Sequence, residues 1–249
     1  MYQEQEPAII LYLKFPQIGT VKTRLISDLI DKTQAFELQI AMIKDTLLLF
    51  TNLNFPFQPV ISFYPPTELE SFKKLIYSFD DFIPRDFLSK LIFIPQKGEG
   101  IGSHFKSTFE QAFKLSNVSC CIILGGDTPH LSSLIINKAV DYLLKNELSS
   151  IIGPSQSGGF YIYGITRYIE NLDLTFSKEN ELANLLEINK LNALTTYMLP
   201  YIDDIDTPQD ANSLFLLIKA VEDLDEKSLT NKIFSKPVYT FRYLQKLFG

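Results

Sequence analysis

Tryptophan is absent from this 249-residue chain, and histidine and cysteine occur twice each. His104 and His130 are far apart in sequence, which argues against a histidine-rich metal centre and weakens any Ser-His-Asp triad. Cys120 and Cys121 are adjacent in the apolar run Cys120-Cys121-Ile122-Ile123-Leu124. Side chains alternate across a strand, so the two thiols are expected on opposite faces without a disulfide, and no Cys-x-x-Cys spacing suggests zinc. No apolar run reaches the roughly 18 residues of a membrane span, and the acidic start MYQEQEPAIILYLKF lacks the basic region of a secretory signal. A soluble, cytoplasmic protein without an integral membrane segment is the expectation. The formal net charge of −6 argues against a general nucleic-acid binder, because phosphate neutralisation needs a basic face. Walker A, Gly-x-Gly-x-x-Gly and Gly-x-Ser-x-Gly patterns are all missing, which disfavours P-loop, dinucleotide-oxidoreductase and α/β-hydrolase chemistry.

Glycine is also scarce, at 11 residues, and its placement is selective. Gly19; Gly98, Gly100 and Gly102; Gly125 and Gly126; and Gly153, Gly158, Gly159 and Gly164 account for all but the terminal Gly249. Glycine is needed where the backbone takes positive φ or approaches a ligand, so these segments mark candidate functional loops as well as tight turns.

Apolar runs and helical spacing alternate along the chain. Strands are expected at Ala8 to Lys14, Gln58 to Tyr64, Leu91 to Ile94, Cys120 to Leu124, Ser149 to Ile152, Phe160 to Ile165 and Thr195 to Leu199. Helices are expected after Thr33 as a cap, from Thr67 to about Tyr77, after Gly102, from about Ser132 to Leu144, near Glu179 to Glu187, and from Pro208. Continuous rather than alternating apolar strands indicate an α/β, Rossmann-like, mainly parallel sheet with helices on both faces. At 46% hydrophobic residues, the chain is expected to form one domain over residues 1–249. Its tail, from about residue 225, is basic and aromatic: Lys227, Lys232, Lys236, Arg242 and Lys246 are interleaved with Phe234, Tyr239, Phe241, Tyr243 and Phe248. Such a segment is expected to pack its aromatics on its own domain and solvate its lysines.

In parallel sheets ligands bind beyond the carboxyl ends of the strands. Asp127 falls there, after Gly125-Gly126, where a carboxylate suits a hard divalent cation bridging a diphosphate; capping of the following helix is the structural alternative. The segment KFPQIGTVKTRL, from Lys14 to Leu25, offers a glycine turn followed by Lys22, Thr23 and Arg24, a set able to hold phosphate as the first turn of a helix.

These motifs, with Gln96, Gly102 before a helix, GGDTP, GPSQSGGFYIYG and DIDTPQD in that order, resemble a bacterial family of GT-A-fold, glycosyltransferase-like proteins of the nucleotide-diphospho-sugar transferase superfamily. The resemblance runs from about Ile9 to Asp210. Phospholactate and molybdopterin guanylyltransferases are similar in several of the same places. The resemblance implies a nucleotide or nucleotide-sugar site with Gly19, Lys22, Thr23, Arg24, Gln96, Gly102, Gly158 and Gly159 around the ligand. It implies Asp127 and Lys22 as catalytic residues, and Asp127 with Asp206 at a Mg²⁺ or Mn²⁺ ion.

The chain also departs from the family. Ser157 stands where Asp is usual, Gly100 and His104 stand where Asp and Arg are usual, and Phe176 takes the place of a tryptophan. The expected function is a metal-dependent glycosyltransferase with a nucleotide-sugar donor and a small-molecule acceptor. A nucleotidyltransferase and a catalytically silent nucleotide-binding paralogue are the alternatives, and a homodimer is among the expected assemblies.

Overall fold

The computed structural model describes residues 5–170, 172, 181–222 and 234–249. Phe176, Glu179, Lys227 and Lys232 therefore lie outside the described residues. The strands are β1 (Glu6–Lys14), β2 (Gln58–Tyr64), β3 (Ile92–Pro95), β4 (Val118–Gly125), β5 (Ser149–Pro154), β6 (Phe160–Ile165) and β7 (Thr195–Met198). They form one sheet in the order β3-β2-β1-β4-β6-β5-β7. β3, β2, β1 and β4 pair in parallel, and so do β5 and β7. β6 is antiparallel to both β4 and β5, so it alone among the described strands runs against the rest. The sheet is mainly parallel, as the apolar runs suggested.

Both faces are buried. Ile9, Leu11 and Leu13 of β1 turn to one core with helices α1 (Lys32–Thr51), α2 (Leu69–Tyr77), the short α3 (Arg85–Leu88) and α5 (Ser133–Lys145). Ala8 and Ile10 turn to a second core with α4 (Gly100–Ala112) and α6 (Glu181–Leu191). Cys120 belongs to the first core and Cys121 to the second, which is the strand alternation at work.

A third apolar cluster decides where the site lies. Ala35, Leu38 and Met42, on the side of α1 turned away from the sheet, pack with Ile205, with Leu214 and Phe215 of α7 (Pro208–Glu222), and with Phe241 and Leu244 of α8 (Val238–Phe248). α1 is therefore clamped between the sheet and the chain's C-terminal helices. Its start is set by Asp31 rather than by Thr33: Asp31 Oδ1 accepts from the amides of Thr33 and Gln34 at 2.7 and 2.8 Å, and Gln34 Oε1 accepts from the Asp31 amide at 2.8 Å. This reciprocal capping box outranks a lone threonine.

The described part of the tail packs on its own fold. Phe241 is buried, Phe215 packs against Phe241 and Phe248, and the Tyr243 hydroxyl donates to Glu37. The start of α8 is capped from α1, where Asp45 accepts from the amides of Tyr239 and Thr240 at 3.0 and 2.7 Å. Beside it, Lys44 Nζ lies 5.2 to 5.3 Å from the ring centres of Phe79, Phe82 and Tyr239. The connection from helix to helix is therefore electrostatic as well as apolar. Asp45→Ala is expected to lower stability by about 1 to 2 kcal/mol in urea unfolding, through the loss of a buried cap.

Candidate functional site

β1 and β4 lie side by side and end at the same edge, Tyr12 opposite Gly125. A cleft of about 330 Å³ opens there, lined by the ends of these strands, by the loop carrying Lys22, Thr23 and Arg24, by Asp127 and by Asp206. Gly126 is required by packing: a Cβ there would stand 2.8 Å from Leu13 Cδ2. Asp127 does not cap α5, whose N-cap is Ser132, with its side chain accepting from the Leu134 amide. The capping alternative for Asp127 is thereby removed, and its carboxylate faces the cleft.

The segment Lys22 to Arg24 is not the first turn of a long helix. Thr23–Leu25 form a single 3-10 turn, and α1 begins only at Lys32. Lys22 sits in the left-handed region at φ 49°, a conformation that costs a non-glycine residue roughly 1 to 3 kcal/mol and persists only where its surroundings fix it. The fixing groups are three oxygens. Lys22 Nζ lies 2.8 Å from Asp127 Oδ1 and donates to Asp206 Oδ1 at 2.9 Å and to the Ile205 carbonyl at 2.7 Å. Burial by itself would lower the ammonium's pKa, but Asp127 and Asp206 outweigh it and hold the group above its ordinary value. Asp206 Oδ2 accepts from Arg24, whose side chain is otherwise 72% exposed at the rim.

The loop that brings Asp206 here is pinned at several points. The Ile205 amide donates to the Asp127 carbonyl at 2.9 Å, and the Ile202 amide donates to the Pro154 carbonyl at 3.1 Å. The run DIDTPQD then starts α7. The Thr207 hydroxyl accepts from the Asp210 amide, Asp210 Oδ2 accepts from the amides of Asp206 and Thr207, and Pro208 is the first helical residue. From the β5–β6 turn, Gln156 Nε2 donates to the Asp204 carbonyl at 3.0 Å and to Asp210 Oδ2 at 3.2 Å.

The structure thus brings Lys22, Thr23, Arg24, Asp127 and Asp206 together, and the other expected site residues stand apart from the cleft lining. Gly19, at φ +79°, shapes the turn in which the Thr20 amide donates to the Gln17 carbonyl. Gln96 is buried and donates to the carbonyls of Leu13 and Ser62 at 3.2 and 3.1 Å, tying the ends of β1 and β2. Gly102 lies inside α4, which starts at Gly100 rather than after Gly102. Gly158, at φ +71°, and Gly159 belong to the turn that presents Gln156. His104 is stacked on Tyr64 with ring centres 4.5 Å apart and has Nε2 3.1 Å from the Gly98 carbonyl.

Three residues that sequence reasoning missed contribute. Gln156 is one. Gln39 of α1 lines the cleft at 6% exposure, and its Oε1 has no hydrogen-bond partner among the described residues. Asp204 likewise has a buried Oδ1 without a partner, and burial, followed by the nearby Asp206 and Asp127, pushes its carboxyl up to about 6. The DIDTPQD run contained a signal for Asp204, since residues two apart on an extended segment share a side.

A second cavity of about 360 Å³ borders the same loop through Tyr201, Asp203 and Ile205, with His130, Leu214 and Phe234. It contains none of the paired charges Lys22, Arg24, Asp127 and Asp206.

Comparisons place this geometry among known folds. A solved structure of a "putative nucleotide-diphospho-sugar transferase" from Desulfovibrio desulfuricans G20 superposes with a TM-score of 0.74 at 22% identity, covering 97% of this chain and 95% of that one. This chain has the nucleotide-diphospho-sugar transferase fold. A cytidylyltransferase from Leptospira borgpetersenii serovar Hardjo-bovis is similar at a TM-score of 0.55 and 14% identity, covering 98% of this chain and 95% of that one. A CMP:2-keto-3-deoxy-manno-octonic acid synthetase solved with CTP is similar at a TM-score of 0.53 and 14% identity, covering 86% of this chain and 99% of that one. Residues 69–177 match the model of a family described as "Uncharacterized protein conserved in bacteria (DUF2064)". No curated protein matches the chain. Among the described residues, no helix is long and apolar enough to cross a membrane.

His130, in the segment that leads from Asp127 to α5, gives this region a pH dependence. It is 8% exposed and its Nδ1 has no partner; burial lowers its pKa to about 4, with Asp203 opposing. The unfolded imidazole titrates near 6.5, so between about pH 6.5 and 4 the unfolded chain binds the extra proton and stability falls as pH falls. The full loss is about 3 kcal/mol below pH 4. Urea unfolding of His130→Phe across this range is expected to show a shallower decline than the wild type.

Proposed function

We propose that the cleft binds a nucleoside-diphosphate-sugar and that the chain is a metal-dependent glycosyltransferase acting on that donor. The observation that carries this reading is the meeting of Lys22, Arg24, Asp127 and Asp206 from three separate chain segments at the carboxyl edge of β1 and β4. Arg24 reaches the rim with most of its guanidinium open, so it is the residue suited to grip a diphosphate in a forked hydrogen bond. Lys22 lines the cleft wall and lends its charge through the carboxylates it holds.

The residues fit a divalent cation at Asp127. Its second oxygen accepts no hydrogen bond among the described residues, and its side chain is 40% exposed. Mg²⁺ is commonly bound by one or two carboxylates together with substrate phosphates, and Asp127 supplies one. A cation there would neutralise charge on the departing diphosphate. Asp206 fits that task less well, because Lys22 and Arg24 take both of its oxygens; its part is to aim those two cations. The acceptor hydroxyl attacks the anomeric carbon and the nucleoside diphosphate leaves.

The likeness to a cytidylyltransferase and to a CMP-sugar synthetase favours a second reading, nucleotidyl transfer, in which the acceptor attacks the α-phosphorus and pyrophosphate leaves. Analysis of the released product separates the two: nucleoside diphosphate supports glycosyl transfer, pyrophosphate the second reading. Nucleotide binding without either product would leave a silent binder.

Asp127→Ala is expected to abolish metal-dependent binding of a nucleotide sugar in calorimetry while circular dichroism stays unchanged; unaltered affinity would remove Asp127 from the site. Arg24→Ala is expected to weaken nucleoside-diphosphate binding roughly tenfold, the worth of a charge-assisted hydrogen bond.

A further inference from the structure

The two carboxylates expected at the metal are already joined by a cation of the chain's own. Lys22 Nζ has three oxygens at 2.7 to 2.9 Å, from the Ile205 carbonyl, Asp127 and Asp206, and its side chain is only 6% exposed. Within the ion-pair cluster itself, the charges of Asp127 and Asp206 are matched by those of Lys22 and Arg24. A divalent ion between the same two oxygens would meet an ammonium at contact distance.

We infer that Lys22 is the resident cation of the Asp127–Asp206 pair and keeps divalent metal out of the free protein, so that metal enters only on the phosphates of a bound nucleotide and touches Asp127 alone. The arrival step rests on the nucleotide reading above; the exclusion step rests only on Lys22. Three features hold the ammonium in place. Its backbone is fixed in the left-handed region. Its acceptors belong to two loops joined by the hydrogen bond from the Ile205 amide to the Asp127 carbonyl. Both neighbouring carboxylates have an oxygen within 2.9 Å of it. Gln39 adds a third potential oxygen ligand. It lines the same cleft with Oε1 buried and without a partner among the described residues, and amide oxygens suit hard cations. Among the described residues, no group of three or more His, Cys, Asp or Glu side chains is disposed to hold a metal ion, so the pair depends on such added donors.

The test is Mn²⁺ titration of the full chain without nucleotide, read by the electron paramagnetic resonance of free Mn²⁺. Wild type is expected to take up no stoichiometric Mn²⁺. Lys22→Met is expected to bind one ion at least roughly tenfold more tightly, to gain thermal stability on Mn²⁺ addition, and to lose both effects in the Lys22→Met, Asp206→Asn double variant. Equal Mn²⁺ binding by wild type and Lys22→Met, or none by a folded Lys22→Met, overturns the inference. If Lys22→Met does not fold, the wild type decides: uptake of one Mn²⁺ that Asp127→Asn abolishes overturns it, and absence of uptake supports it. Nucleotide is omitted, so these results stand whether or not UDP, GDP or CDP later proves to bind. Failure of all three to bind wild type in the presence of Mn²⁺ would count against the nucleotide reading instead.

Discussion

A lysine side chain removed from water must find negative partners, because an unpaired buried ammonium costs several kcal/mol. Lys22 meets that demand with Asp127 and Asp206, and much of the molecule's organisation follows from it. The two carboxylates come from separate segments of the chain: one lies just past the central strand β4, and the other on the loop entering α7. Bringing them within reach of one Nζ requires the C-terminal half to fold back over the sheet edge. The hydrogen bond from the Ile205 amide to the Asp127 carbonyl makes the same junction in backbone terms. Ion triad and backbone bond reinforce each other, since each sets the geometry that the other needs.

The apolar counterpart of that junction is the cluster around α1. Ile205 is buried in it, one residue before Asp206, with α7 and α8 closing over Ala35, Leu38 and Met42. A side chain facing the cluster and the next facing the cleft is the alternation of an extended segment. Burial of Ile205 therefore aims Asp206. The same logic makes α8 part of the site's support although it touches none of the charged residues. It holds α7 against α1, and Asp45 in turn holds the start of α8. Gln96 and Gln156 do comparable work at the other borders, fixing the end of β1 and the acidic loop through bonds to their backbone carbonyls.

The strands were the most legible part of the sequence. Gln58 to Tyr64 and Phe160 to Ile165 appear with the bounds expected from their apolar runs. Such runs report burial on two faces, but they carry no direction, and so the reversed course of β6 was not legible. Capping was read less well, because Thr33 is a good cap in isolation and only the pairing of Asp31 with Gln34 displaces it. Lys22 to Arg24 looked like a helix start since basic residues and a preceding glycine are common there; the left-handed turn at Lys22 answers to a tertiary ion pair invisible in local sequence. Asp127 and Asp206 could be picked out as carboxylates at the right edge, but their binding of the chain's own lysine could not.

The departures at Ser157, Gly100 and His104 also take on a physical meaning. Ser157 adopts the left-handed region, at φ 57°, in the turn that lets Gln156 reach the acidic loop, so what this turn delivers to the site is an amide rather than a charge. His104 is spent on Tyr64 and on the Gly98 carbonyl, closing the glycine loop on itself, and Gly100 supplies a positive φ where α4 begins. None of the three lines the cleft. Charge recognition at this edge of the sheet is thereby concentrated in the β1 and β4 loops and in the Asp206 segment that bridges them. With Lys22 internal to the triad and Arg24 at the rim, a negatively charged ligand meets one open guanidinium, the exposed Lys14 and one half-exposed carboxylate. On the proposed function, that carboxylate would repel a bare anion and accept one that carries its own divalent cation, so a metal-bound diphosphate is the ligand this arrangement would favour over a free one.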